Sequence, residues 1–280
     1  MESHNNDAGV QYQGCSALGN LAANNAKNKV AIADAGGIGV VVSGMKAHQD
    51  HAGVQAKGCW ALATLAFSNI ENKVAIAKTG GIIAIARGMK AHLNQADVQK
   101  YGCRAVANLA VTQDDNRLVI AKVGGITAIV SDMKAHNHHV GVQGWGSLAL
   151  YNLSSNTKVA ILIEVGGGVQ VLEAASSYPY AGSALEKIQR ASIPREKLPS
   201  GSAKIRRDPM QDPEELANGR NGWFRCILEL CKNYQEQPLL NSCKKLRHTI
   251  LLLRLLQDDS GRPLYHVLRC PAQSALDIWR

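Results

Sequence analysis

The stretches AGVQYQGCSALGNLA (Ala8–Ala22), AGVQAKGCWALATLA (Ala52–Ala66) and ADVQKYGCRAVANLA (Ala96–Ala110) align without a gap at an offset of 44 residues. A fourth, VGVQGWGSLALYNLS, begins another 44 residues on, at Val140. Self-similarity at a fixed period of about 20–50 residues marks a repeat architecture. Between these stretches recurs NKVAIA followed by GGI, at Asn28 and Asn72, and as NRLVIAKVGGI at Asn116. A third piece follows, GMKAH at Gly44 and Gly88 and DMKAH at Asp132. In the fourth copy the spacing slips. Lys158–Ile161 falls 41 residues past its counterpart, and Gly166–Gly167 falls 42 past.

Each unit reads as three helices. The segment Asn72–Lys78 predicts a short first helix, and Gly80–Gly81 breaks it, since glycine suits a helix end and a sharp redirection. Ile82, Ile85 and Met89 then mark one face of a second helix. A polar turn, His92–Gln95, precedes the third, whose expected buried stripe is Val98, Gly102, Ala105, Val106 and Leu109. The glycine that recurs there (Gly14, Gly58, Gly102) costs about 1 kcal/mol against alanine. Close approach of a neighbouring helix is the expected compensation.

The Gly–Gly break, the second helix and GCWALATLA (Gly58–Ala66) together resemble the armadillo repeat. That resemblance covers residues 1–182. It implies an all-α, right-handed armadillo-type α-solenoid of about four 44-residue three-helix repeats. HEAT repeats have a similar period but two helices, and the central Gly–Gly favours armadillo. Tetratricopeptide and ankyrin arrays fail on period. Met1-Glu2-Ser3-His4 aligns with Met45-Lys46-Ala47-His48, so the chain opens at the end of a second helix. Either it is a piece of a longer array, or it starts there and a partner covers the open face.

Residues i, i+4 and i+8 of a helix share a face. Opposite the buried stripe the third helices read Tyr12, Ser16, Asn20; Ala56, Trp60, Thr64; Lys100, Arg104, Asn108; and Gly144, Leu148, Asn152. In armadillo proteins the third helices line a concave groove that binds protein or extended peptide segments. By resemblance, Asn20, Asn108 and Asn152 match the asparagine ladder that holds a peptide backbone, and Thr64 departs from it. Trp60 alone matches the family's tryptophan column, where Ser16, Arg104 and Leu148 stand in the other copies. Lys100 and Arg104 favour an acidic segment. Equally open is a structural role, each asparagine bridging adjacent helices and Trp60 packing on its neighbour. Three asparagines and one tryptophan fall short of the roughly 8 kcal/mol that micromolar binding needs.

The other recurring side chains read as structural. Successive turns place His4, His48, His92 and His136 about 10 Å apart by helix packing, too far to share a metal. A solvated turn is expected there. Lys46, Lys90 and Lys134 complement the second helix's C-terminal end. Cys15, Cys59 and Cys103 lie on the buried side and act as small apolar residues. No P-loop, GxSxG, HExxH or paired Cys/His motif is present. No enzyme activity, cofactor or metal is therefore expected.

The formal charge is +9, with 14 basic and 11 acidic residues in 1–182 and 17 basic and 11 acidic beyond. Seven cysteines without a CxxC pair suggest a reducing compartment. MESHNND lacks a signal peptide's apolar core, and the run Ile250–Leu256 is too short to span a bilayer. A cytoplasmic protein, with the nucleus as second compartment, is expected.

Residues 183–211 read as a capping helix (Ala181–Arg190) followed by a basic linker with Lys204, Arg206 and Arg207. Residues 212–280 read as a small helical region or a degenerate repeat, with stripes at Trp223, Ile227, Leu230 and at Leu239, Cys243, Leu246. The leading expectation for function is a protein-interaction scaffold. The alternative is nucleic-acid or anionic-surface association through the basic C-terminal region.

Overall fold

A computed structural model describes residues 1–192. The linker and helices expected over 193–280 lie outside the described residues. Within 1–192 the chain is all-α, with thirteen α-helices and no strand among the described residues. The helices recur in triplets of 15, 9 and 11 residues. They are α1 (Ala8–Ala22), α2 (Ala26–Asp34) and α3 (Gly37–Ala47); α4 (Ala52–Ala66), α5 (Ile70–Lys78) and α6 (Gly81–Ala91); and α7 (Ala96–Ala110), α8 (Asp114–Lys122) and α9 (Gly125–Ala135). A shorter set follows: α10 (Val140–Leu153), α11 (Thr157–Val165), α12 (Gly168–Ala174) and α13 (Ala181–Ser192). The long helices α1, α4, α7 and α10 are the third helices expected from sequence.

Local chemistry sets each boundary. Asn25, Asn69 and Asn156 cap α2, α5 and α11, their side-chain oxygens accepting from Asn28, Asn72 and Val159 N–H. Such caps satisfy amides that a helix start leaves without partners. Gly80, before α6, has φ of 82°, and Gly36, Gly124 and Gly167 occupy the same left-handed region. An L-side chain there is strained. The glycine after each is also required, because a Cβ on Gly81 would stand 2.9 Å from the Ile76 carbonyl. The resulting bend between α2 and α3 is 70°.

The same glycine geometry corrects the register of the fourth copy. The left-handed residue is Gly167, which lies 43 residues past Gly124. Ile163 packs under Gly168 as Ile120 packs under Gly125, and α11 starts 43 residues past α8. The offsets of 41 and 42 expected from sequence are therefore replaced by a single one-residue loss. It falls around the end of α10, which has 14 residues where its counterparts have 15.

Packing runs from each long helix to the next, α1 on α4, α4 on α7 and α7 on α10, and α13 closes on α10, α11 and α12. The expected stripe Val98, Gly102, Ala105, Val106 and Leu109 is buried. What sits over the recurring glycine is a methionine of the second helix. A Cβ on Gly102 would come 2.5 Å from Met89 Cγ, and one on Gly146 2.7 Å from Met133 Cγ. Met45 seats on Gly58 and Met1 on Gly14 in the same way. A buried glutamine fastens each long helix to the segment before it. Gln55 Nε2 donates to Met45 O and His48 O, both at 2.8 Å, and Gln11, Gln99 and Gln143 repeat the arrangement.

Candidate functional site

The recurring histidines differ from the expectation of a solvated turn. His48 Nε2–H donates to Asn5 O at 2.7 Å, His92 to Gln49 O at 2.7 Å, and His136 to Leu93 O at 2.6 Å. Each turn is tied to the one before it. His51 and His139 cap α4 and α10, their Nδ1 atoms accepting from Val54 and Val142 N–H. The thiols of Cys15, Cys59 and Cys103 are buried. Burial pushes Cys15 and Cys59 up to about 12 and Cys103 well above its usual value, which leaves little thiolate for chemistry.

Two members of the asparagine column, Asn108 and Asn152, take the bridging role. Asn108 is buried and its Nδ2 donates to Ala63 O on α4 at 2.8 Å. Asn152 Nδ2 donates to Ala107 O on α7 at 3.0 Å. Thr64 is buried too, and its hydroxyl donates back to Trp60 O at 2.9 Å. Asn20, on α1, is exposed.

Tyr12, Ser16, Trp60, Lys100, Arg104 and Leu148 are half-buried and present side chains on the long helices. They meet a column not read from sequence, one residue past the first of the three: Lys57, Tyr101 and Trp145. The rings of Trp60 and Tyr101 lie 6.5 Å apart, and the Arg104 guanidinium lies 5.3 Å from the Trp145 ring. Both pairs are 41 residues apart, because adjacent long helices are staggered. Lys57 Nζ reaches the rings of Tyr12 (5.6 Å) and Trp60 (5.4 Å). Trp60 also lies over Gly19, where a Cβ would come 2.6 Å from its Cε3. The result is a band of alternating cations and aromatic rings across α1, α4, α7 and α10. Cation–π contacts of this kind contribute about 0.5–1 kcal/mol each at exposed sites.

Two buried basic residues on the nine-residue helices reach the ends of long helices. Lys29 on α2 donates to Phe67 O at 2.8 Å, and Lys73 on α5 donates to Val111 O at 3.1 Å. Phe67 and Val111 end α4 and α7, so both cations sit where helix carbonyls lack partners. Burial, and then the nearby Arg104 or Arg117, lowers the pKa of each lysine. Lys100, by contrast, is paired with Asp97 at 3.1 Å. Sequence reasoning missed Lys29, Lys73, Lys57, Tyr101 and Trp145. Lys29 and Lys73 carried a usable signal, a basic residue recurring at 44 inside NKVAIA.

With this geometry in view, comparison with known proteins adds a fold and no activity. No protein-family model matches the chain. No curated protein matches it either. A crystal structure of an engineered protein from the Northeast Structural Genomics Consortium is similar, with 30% identity and a TM-score of 0.56. The likeness covers 66% of this chain and 44% of that one, so this chain spans less than half the engineered protein's length. A second engineered protein from the same consortium is 25% identical with a TM-score of 0.41, over 66% of this chain and 92% of that one. The first likeness supports a helical repeat-like fold.

Asp132 breaks the repeat. It stands where Gly44 and Gly88 face the amide oxygens of Gln11 and Gln55. Its Oδ2 and the Oε1 of Gln99 are both buried without a hydrogen-bond partner. Burial pushes this carboxyl up to about 8. A raised pKa favours the neutral, protonated form of this carboxyl. No helix among the described residues is long and apolar enough to cross a membrane; one bent pair, α2 with α3, meets the criterion by length and composition.

Proposed function

We propose that the chain is an armadillo-type, right-handed α-solenoid that acts as a non-enzymatic protein-interaction scaffold in the cytoplasm or nucleus. It binds an extended peptide or partner surface along the face of its long helices. The observation that carries this reading is a division of labour among the columns. Positions that recur are consumed by the architecture: glutamine, histidine and lysine on main-chain carbonyls, and methionine on glycine. Positions that vary, Tyr12, Trp60, Lys100, Arg104 and Trp145 among them, leave aromatic and cationic side chains half-buried on one face. Tyr, Trp and Arg are the residue types that dominate interface energetics. The buried, unreactive cysteines suit a reducing compartment.

The Asn108 and Asn152 amides are engaged with neighbouring helices, so they add less to binding than an open ladder would. The aromatic and cationic side chains carry the burden instead. Pulldowns with the full chain at low and high salt test the idea. Partners that persist at high salt are expected to be lost on Trp60→Ala. Retention of every partner by that variant overturns the reading.

A further inference from the structure

Each of the four long helices contributes a half-buried aromatic ring to one face: Tyr12 from α1, Trp60 from α4, Tyr101 from α7 and Trp145 from α10. Other copies hold other residue types at these positions, so the repeat itself does not require the rings. Trp60 and Tyr101 lean together, with ring centroids 6.5 Å apart, and make one platform. Tyr12 and Trp145 stand one helix away on either side, and packed helices are spaced about 8–10 Å. Two cations stand among the rings. Lys57 Nζ lies 5.6 Å from the Tyr12 ring and 5.4 Å from the Trp60 ring, and the Arg104 guanidinium lies 5.3 Å from the Trp145 ring. Neither cation forms a hydrogen bond or ion pair among the described residues, so both retain N–H donors. Net charge on this face is thin. The helices α1 and α10 carry no charged residue, α4 carries only Lys57, and Lys100 on α7 is paired with Asp97. A ligand that spans all four helices meets a ring on each and positive charge only in the middle. That disfavours a polyanion and favours an uncharged chain that packs on rings and offers acceptors.

We infer that the ligand of this face is a proline-rich segment in the polyproline II conformation, running across the long helices. The inference rests on the protein-binding reading above and names its ligand class. Polyproline II rises about 3.1 Å per residue and returns to the same side every three residues, about 9.3 Å, which matches the helix spacing. A β-strand returns to the same side every two residues, about 6.7 Å, and falls out of step with one ring per helix. Proline has no N–H, so such a segment presents carbonyl oxygens with few donors. Those partial negative charges complement the N–H groups of Lys57, Arg104 and the two indoles, which donate and do not accept. Aromatic-lined grooves are a recurring means of holding this conformer, whose stiffness limits the entropy lost on binding.

The test uses the full chain and fluorescence anisotropy with three labelled probes: decaproline, a glycine–serine decamer and oligo-dT. Decaproline is expected to bind about tenfold or more tightly than the glycine–serine peptide, with little salt dependence because its side chains carry no charge. Trp145→Ala should weaken it about fivefold, whereas Trp145→Phe, which keeps a ring, should hold most of the affinity. Lys57→Met keeps the aliphatic stem and loses the donors, and should weaken binding about threefold even if Trp145→Ala does not fold. Decaproline that binds no tighter than the glycine–serine peptide overturns the inference. So does unchanged decaproline affinity in Lys57→Met and in a folded Trp145→Ala, or tighter binding of oligo-dT. If Trp60→Ala still loses its partners in that case, the binding face stands and only its preference for proline falls. If Trp60→Ala keeps them all, the face falls and the inference with it.

Discussion

The helices α1 and α4 have closely similar sequences and different surroundings. Leu21 on α1 is 56% exposed, whereas Leu65, its counterpart on α4, is 0% exposed. Ala17 is exposed where Ala61 and Ala105 are buried, and Asn20 is exposed where Asn108 bonds to the helix before it. The difference measures what an adjoining triplet contributes. A long helix in this molecule is finished on two sides, by its own triplet and by the long helix that precedes it. The repeated sequence carries the side chains for both sides in every copy.

The largest effect should come from cutting the same side chain in the two places. Leu65→Ala removes a fully buried leucine and should cost about 2–5 kcal/mol, while Leu21→Ala should stay within about 0.5 kcal/mol. Chemical denaturation of the two variants checks the contrast, and equal losses would show that α1 is covered in solution.

A smaller effect sharpens a second difference between copies, glycine at 44 and 88 against Asp132. Because burial raises the Asp132 carboxyl to about 8, the folded chain binds a proton that the unfolded chain releases near pH 4. Stability from this group is therefore full at acid pH and falls as pH rises toward 8. The slope is at most about 1.4 kcal/mol per unit. Thermal melts of Asp132→Gly across pH 5 to 8 should lose that part of the slope; an unchanged profile would mean that Asp132 is ionised in the fold.

Smallest is the bridge itself. Asn108→Ala deletes one hydrogen bond between α4 and α7, for about 0.5–1.5 kcal/mol, whereas Asn20→Ala should be silent. Calorimetric melting separates them, and a silent Asn108→Ala would return that residue to the list of free ligand contacts.

Much of this fold was legible because period and helix phase are properties of one strand of sequence. The stripe from Val98 to Leu109 and the left-handed turns at Gly36, Gly80 and Gly124 follow from residue type at fixed spacing. The fourth turn did not, because Gly166, Gly167 and Gly168 are three identical residues and only the backbone shows which one has positive φ. The binding face was half legible. Its columns are visible at 44, but its pairs, Trp60 with Tyr101 and Arg104 with Trp145, form at 41, a stagger that depends on how neighbouring helices slide together. The contacts of Lys29 and Lys73 were not legible, because nothing local indicates that they reach a helix end 38 residues away.

The bonds that fasten one triplet to the next have a consequence for how such a chain can change. Glutamine, histidine, lysine and asparagine all grip carbonyl oxygens of the adjoining segment. A carbonyl is the same whatever residue carries it. Each triplet therefore recognises the shape of its neighbour's main chain and is largely indifferent to that neighbour's identity. Copies can be duplicated, exchanged or left to drift on their outer faces while the joints still close, and a chain assembled this way is free to acquire a new surface without inventing a new fold.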